Sequence, residues 1–159
     1  MIPRPQLRDP ILLIEVAARL LPGVLRWFGP SMRPDDAILK DLTTGLTVTL
    51  DGYGLAKWLE IYRDWSPDGS LVTLLNQAPF LRDDIYDQKV RQWVEDNQVQ
   101  PGLSVGDTVK VRDGSGVEHT GQIRCINYEE ARYQVFAQSM GHGSRVKAMG
   151  VPYEQVEQT

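Results

Sequence analysis

Apolar residues recur with two different periods along this chain, and the change of period divides it into a first part built from helices and a last third built from strands. Ile11, Leu12, Leu13, Ile14, Val16, Ala17, Ala18, Leu20 and Leu21 leave only the side of Glu15 and Arg19 for water. That pattern predicts a well-covered helix running to about Leu21, with Asp9 as its cap, Pro10 at its first position and Glu15 and Arg19 as an i,i+4 pair. Pro22-Gly23 and Gly29-Pro30 then bracket a short second piece carrying Val24, Leu25, Trp27 and Phe28. Residues 37–42 and 46–50 flank Thr43-Thr44-Gly45, and Leu46-Thr47-Val48-Thr49-Leu50 alternates strictly. This predicts a β-hairpin with glycine in its turn. Leu55, Trp58, Leu59 and Tyr62 fall on one helical face, predicting a helix over residues 55–62. Ser66-Pro67-Asp68 starts another, with Leu71, Val72, Leu74 and Leu75, ending by Pro79. Asp83-Asp84 caps a further helix with Ile85, Val90, Trp93 and Val94 as its stripe, and residues 97–102 form a linker.

Beyond the linker the period drops to two. Val109 and Val111 alternate with Lys110 and Arg112, and Asp113-Gly114-Ser115-Gly116 carries the chemistry of a turn. Further short strands are predicted over residues 122–126, 132–136 and 146–149, split by Asn127-Tyr128-Glu129-Glu130 and followed by Val151-Pro152-Tyr153-Glu154. Strands this short at this spacing favour a small barrel or sandwich. Gly106-Asp107-Thr108-Val109, Thr120-Gly121-Gln122-Ile123 and Arg132-Tyr133-Gln134-Val135 resemble successive strands of the SH3-like barrels that include KOW and Tudor-like modules. The resemblance covers the last third, and it implies a fold rather than a ligand, because such barrels host peptide binders, nucleic-acid binders and inert structural modules alike. The expectation is an α+β chain: a helical body with a β-hairpin over residues 1–100, then an SH3-like barrel over 103–159.

With 42% apolar and 24% charged residues, the 159-residue chain has the make-up of a folded globular protein of one or two domains. Its net charge is −4, and the last third holds six basic against seven acidic residues, so neither part has the basic excess that counterion release on DNA or RNA requires. The single cysteine, Cys125, excludes an internal disulfide and a multi-cysteine zinc site. Its alternation with Ile123 predicts a buried thiol, and a reducing cytoplasm suits it. Glu15, Arg19, Pro22 and Arg26 interrupt the apolar stretch near the amino terminus, which argues against a membrane span and against a signal peptide.

Catalytic patterns are sparse. There is no His-x-x-x-His, no Gly-x-Ser-x-Gly and no phosphate loop, and the histidines are His119 and His142, the latter in Gly141-His142-Gly143-Ser144. The carboxylate pairs Asp35-Asp36, Asp83-Asp84 and Glu129-Glu130 sit at helix starts or in a loop, where negative charge is favourable or solvated. No metal, cofactor or catalytic set is expected. The reading is a non-enzymatic binding protein that recognises another protein through the barrel loops, with Tyr128, Phe136, His142 and Arg145 as the contact residues. Size and acidity also suit an accessory or inhibitor protein of a phage or mobile element. One alternative is a nucleic-acid-binding module using Lys110, Arg112, Arg124 and Lys147 as a basic strip, beside Arg132 and Arg145; another is a small hydrolase using His142. The first helix and Trp27-Phe28 offer apolar surface for a homodimer.

Overall fold

The structure, a computed structural model, describes residues 3–30, 33–138 and 146–159, with Gln138, Val146 and Lys147 described by backbone alone. The chain forms two compact units, one holding Arg4–Lys89 and the other Val90–Thr159. Its class is α+β: helices lead and an antiparallel sheet follows. Among the described residues no helix is long and apolar enough to cross a membrane.

In the first unit α1 (Pro10–Phe28), α2 (Asp35–Val48), α3 (Gly52–Arg63) and α4 (Gly69–Leu75) pack around leucine, isoleucine and valine side chains, among them Leu12, Leu20, Ile38, Leu42, Leu55, Leu59 and Leu71. Helix α5 (Ala78–Asn97) begins here. Asp9 caps α1 as expected, accepting from the Ile11 amide at 2.9 Å, whereas the helix expected to start at Ser66 starts later: Asp68, expected in its first turn, is the cap of α4 and accepts from the Leu71 amide at 2.9 Å. Helix α5 starts before the expected cap at Asp83-Asp84, with Pro79 in its first turn.

In the helical unit two expected breaks, both at glycines, are absent. Helix α1 runs through Pro22-Gly23 to Phe28 without a break. The expected hairpin over residues 37–50 is the helix α2, in which Ile38, Leu42, Gly45 and Leu46 are buried at helical spacing. The threonines that mimic a strand satisfy themselves within the helix: the Thr43 hydroxyl donates to the Leu39 carbonyl and that of Thr44 to the Lys40 carbonyl, each at 2.8 Å. Gly45 is a packing residue instead of a turn, since a Cβ there would collide with Leu55 Cδ1. Gly23 lets α4 approach in the same way, with Leu74 Cδ1 at 2.8 Å from a would-be Cβ. Along α1, Ile11 and Ile14 are exposed, so water reaches beyond the side of Glu15 and Arg19. Trp27 and Phe28 are half-buried, packed on the buried Trp65 with ring centroids 6.3 and 4.8 Å away.

The second unit holds β1 (Thr108–Arg112), β2 (Glu118–Asn127), β3 (Arg132–Gln138), β4 (Val146–Pro152), a 3₁₀ turn η1 (Tyr153–Gln155) and β5 (Glu157–Gln158). The strands make one antiparallel sheet in the order β4-β3-β2-β1-β5. Val109, Val111, Ile123, Tyr133, Val135 and Val151 form its core, and the Leu103 amide donates to the Tyr133 hydroxyl at 2.9 Å. The sheet does not close into the expected barrel: β4 and β5 are its two edges, and the last strand is only two residues long. Gly121 lets β2 and β3 press together, because a Cβ there would meet Val135 Cγ1 at 2.7 Å and the Phe136 carbonyl oxygen at 2.8 Å.

Cys125 is exposed, contrary to the expected core thiol. Strict alternation fails at a β-bulge: Ile123 opposes Val135, but Cys125 opposes Gln134. One extra residue exchanges the faces of everything after it, so Cys125 turns outward and Ile126 packs on the core.

Candidate interaction surface of the sheet unit

The β2–β3 turn is built from Asn127, whose side-chain oxygen accepts from the Glu130 amide at 3.0 Å, and from Ala131, which takes a left-handed φ of 48°. That turn holds Tyr128 out, 59% exposed. A cavity of about 410 Å³ opens beside it, lined by Tyr128 and Glu129 from the turn and by Arg91, Val94 and Glu95 from the end of α5. Arg91, about half exposed, reaches the exposed Glu129 and the half-buried Glu130 at 3.9 Å each, long contacts that hold the guanidinium loosely. An exposed phenol and a loosely held guanidinium are side-chain types that anchor protein interfaces, and Val94 adds apolar surface to the same opening.

Of the other expected contact residues, Phe136 lies on the outer face of β3, opposite Gln122 and Ala148 and 38% exposed. It stands four residues beyond Arg132, at about 3.3 Å per residue, so the two aromatic side chains sit toward opposite ends of β3 and form no single patch. His142 and Arg145 lie outside the described residues. Arg91 and Val94 went unread as site residues. Their i,i+3 spacing at a helix end was visible, but nothing in it announced that the β2–β3 turn would come beside them.

The residues expected to form a basic strip divide. Lys110 and Arg112 share the outer face of β1, yet both turn to one carboxylate, Glu118, at 3.3 and 3.9 Å. With Glu154 and Glu157 they line a second cavity, of about 290 Å³, in which three carboxylates face two cations. Arg124 sits at the bulge of β2, off the register of Lys110, which pairs with Thr120. Lys147 pairs with Ala137 along the backbone of β4, and its side chain is outside those described. Arg132 stands on β3, opposite Asn127 and Pro152. Glu118, Glu154 and Glu157 carry the balancing charge, and only the pairing of β1 with β2 and β5 reveals it.

At the β1–β2 turn, Asp113 holds the loop by accepting from the amides of Ser115 and Val117 and from the Ser115 hydroxyl, while His119 Nε2 lies 2.9 Å from its other oxygen. Serine, histidine and aspartate are thus together, but the carboxylate stands in the middle. Activating a serine requires the imidazole there, taking the hydroxyl proton while the carboxylate orients it. This trio therefore braces a turn. Among the described residues no group of three or more His, Cys, Asp or Glu is placed to hold a metal ion.

Comparison with protein-family models, with curated proteins and with solved structures found no match.

Proposed function

We propose that this chain is a binding protein whose sheet unit, an SH3-like module left open at its edges, recognises another protein, and that the decisive contacts come from the β2–β3 turn. The observation that carries this reading is the cavity beside Tyr128, which sets an exposed aromatic ring, the apolar Val94 and the Arg91 guanidinium around one opening. Such a constellation buries much area at modest entropic cost when a partner fills it. The balanced charges of the β1 face favour a protein partner over a polyanion, since Lys110 and Arg112 already share Glu118. The test is capture of a partner by the full chain from its source cell, followed by affinity measurements on variants. Tyr128→Ala should weaken the captured partner at least about tenfold, roughly 1.4 kcal/mol, with the melting temperature unchanged. Normal binding by Tyr128→Ala and Arg91→Ala together with tight, salt-sensitive binding to heparin would overturn it.

A further inference from the structure

We infer that helix α1 pairs antiparallel with its counterpart in a second copy of this chain, along a row of apolar side chains that the helical unit leaves uncovered. The inference is independent of the recognition surface on the sheet unit. Leu12, Val16, Leu20 and Val24 bury the inner side of α1. Ile11, Ile14, Ala18, Leu21, Leu25 and Phe28 are apolar too, and none of them is buried. Ile11 is 66% and Ile14 47% exposed, Ala18 is exposed, and the last three are half-buried. They recur at intervals of three and four residues in strict alternation, the a and d positions of a heptad, over the whole helix. A helix that is apolar nearly all round is a covered helix, and a monomer seldom leaves such a row in water.

The row matches itself when reversed. Setting each a position against a d position of an antiparallel partner, with the two helices overlapping over nearly their whole length, places Ile11 against the partner's Phe28, Ile14 against the partner's Leu25 and Ala18 against the partner's Leu21. A small side chain thus meets a large one in the central layers, which fill while the backbones approach.

Charge favours that direction. At roughly 100° per residue, Glu15, Pro22 and Arg26 fall on one flank of the row, and the buried Ala17 and Val24 on the other. Antiparallel pairing brings like flanks together and sets Glu15 within about 3 Å, along the helix axis, of the partner's Arg26. Among the described residues Arg26 donates to the Pro22 carbonyl of its own helix at 3.2 Å and meets no carboxylate. Glu15 is partly exposed, beside Arg19 at 3.5 Å and Lys89 at 2.9 Å. A parallel pair would set this charged flank against the partner's Ala17 and Val24, and would lay the two helix dipoles side by side in the same sense. The contact is about 28 Å long and one helix, about 10 Å, wide, narrower than the standard interface of roughly 800 Å² per partner. The dimer is therefore a weak one that dissociates on dilution.

Sedimentation equilibrium on the full chain, from about 5 μM to about 1 mM, reads it out. The expected result is a monomer–dimer equilibrium with half-association on the order of 100 μM. Ile14→Lys should weaken it at least about tenfold, with the melting temperature of the dilute chain unchanged, and Arg26→Glu should weaken it about threefold. If Ile14→Lys fails to fold, the more exposed Ile11→Lys serves in its place. Thiol crosslinking in a Cys125→Ser chain reads the register: a mixture of Ala18→Cys and Leu21→Cys should give the mixed disulfide dimer in excess of either variant with itself. A monomer up to about 1 mM, association that Ile14→Lys and Ile11→Lys both leave intact, or preferential crosslinking of Ala18→Cys to itself would overturn the inference. Binding of a monomeric chain to phosphatidylcholine vesicles, abolished by Ile14→Lys, would assign the row to a membrane surface and likewise overturn it.

Discussion

The helical unit and the sheet unit use the same residue types to opposite ends. In the helical unit Asp41 gathers Arg33 at 3.2 Å, Arg63 at 2.9 Å and the indole N–H of Trp65 at 3.0 Å, around a carboxylate only 15% exposed. Arg33 also donates to the Arg63 carbonyl, and Arg63 lies over the Trp58 ring, 4.9 Å from its centroid. Arginine and tryptophan there tie α2, α3 and the segment after α3 together. In the sheet unit Arg112 is 74% exposed and Tyr128 59%, each beside a cavity, and Arg91 and Arg112 reach carboxylates at 3.9 Å. A guanidinium already spent on a buried carboxylate has little left for a partner, whereas a loosely held one keeps its donors available. Residue type alone does not mark a recognition surface; the prior commitments of each side chain do.

The largest effect that would sharpen this contrast comes from Asp41→Ala. It deprives Arg33 and the indole of the buried Trp65 of their shared acceptor and Arg63 of its counter-ion, and it should lower stability by about 3 kcal/mol, near the lower bound for breaking a buried ion pair. Denaturant unfolding measures it, and the partner affinity of the sheet unit should stay unchanged. Next, Gly121→Ala should cost about 2 kcal/mol through overpacking, because its Cβ meets the Phe136 main chain and the strands cannot part without losing ladder bonds. Amide exchange should show faster opening in β2 and β3. Gly45→Ala should cost less, about 1 kcal/mol or under, since the helix-propensity gain of alanine over glycine offsets part of the clash with Leu55.

The smallest effect is in acid. The Ser70 hydroxyl, the Leu71 amide and the Trp27 indole N–H hold the Asp68 carboxyl down at about 2, below its ordinary value of 3.8. Because the folded value lies below the unfolded one, the stability from this cap is present above about 4 and is lost as pH falls toward 2. Asp68→Asn should remove that part of the acid dependence, seen as a shallower fall of melting temperature over the same window. An unchanged slope would show that ionisation of Asp68 contributes nothing to the acid dependence of folding.

Much of the sheet unit was legible from its residues because period two is a local signal: the positions of the first four strands follow from alternation and turn chemistry around Val109, Ile123, Tyr133 and Val146. The bulge at Arg124 was not legible, since an extra residue leaves no mark in composition, and it reversed the side of Cys125. In the helical unit the error was to read Gly23 and Gly45 as punctuation. Glycine in a helix interior and glycine in a turn look alike in sequence, and only the neighbouring Leu74 and Leu55 show which is meant. Spacing did hold the answer for α2, because Ile38, Leu42, Gly45 and Leu46 carry the helical period straight through the supposed turn. Tyr128 was legible as an exposed aromatic in a strand connection, but its companions Arg91 and Val94 come from a distant helix and required the tertiary structure.

Amide hydrogen exchange on the full chain, with and without its captured partner, tests most directly whether recognition belongs to the sheet unit. Slowed exchange is expected in the β2–β3 turn around Tyr128 and at the end of α5 near Arg91, with α2, α3 and the Asp41 network unaltered. Slowing centred on Arg33, Asp41 and Arg63, with the sheet unit unchanged, would contradict it.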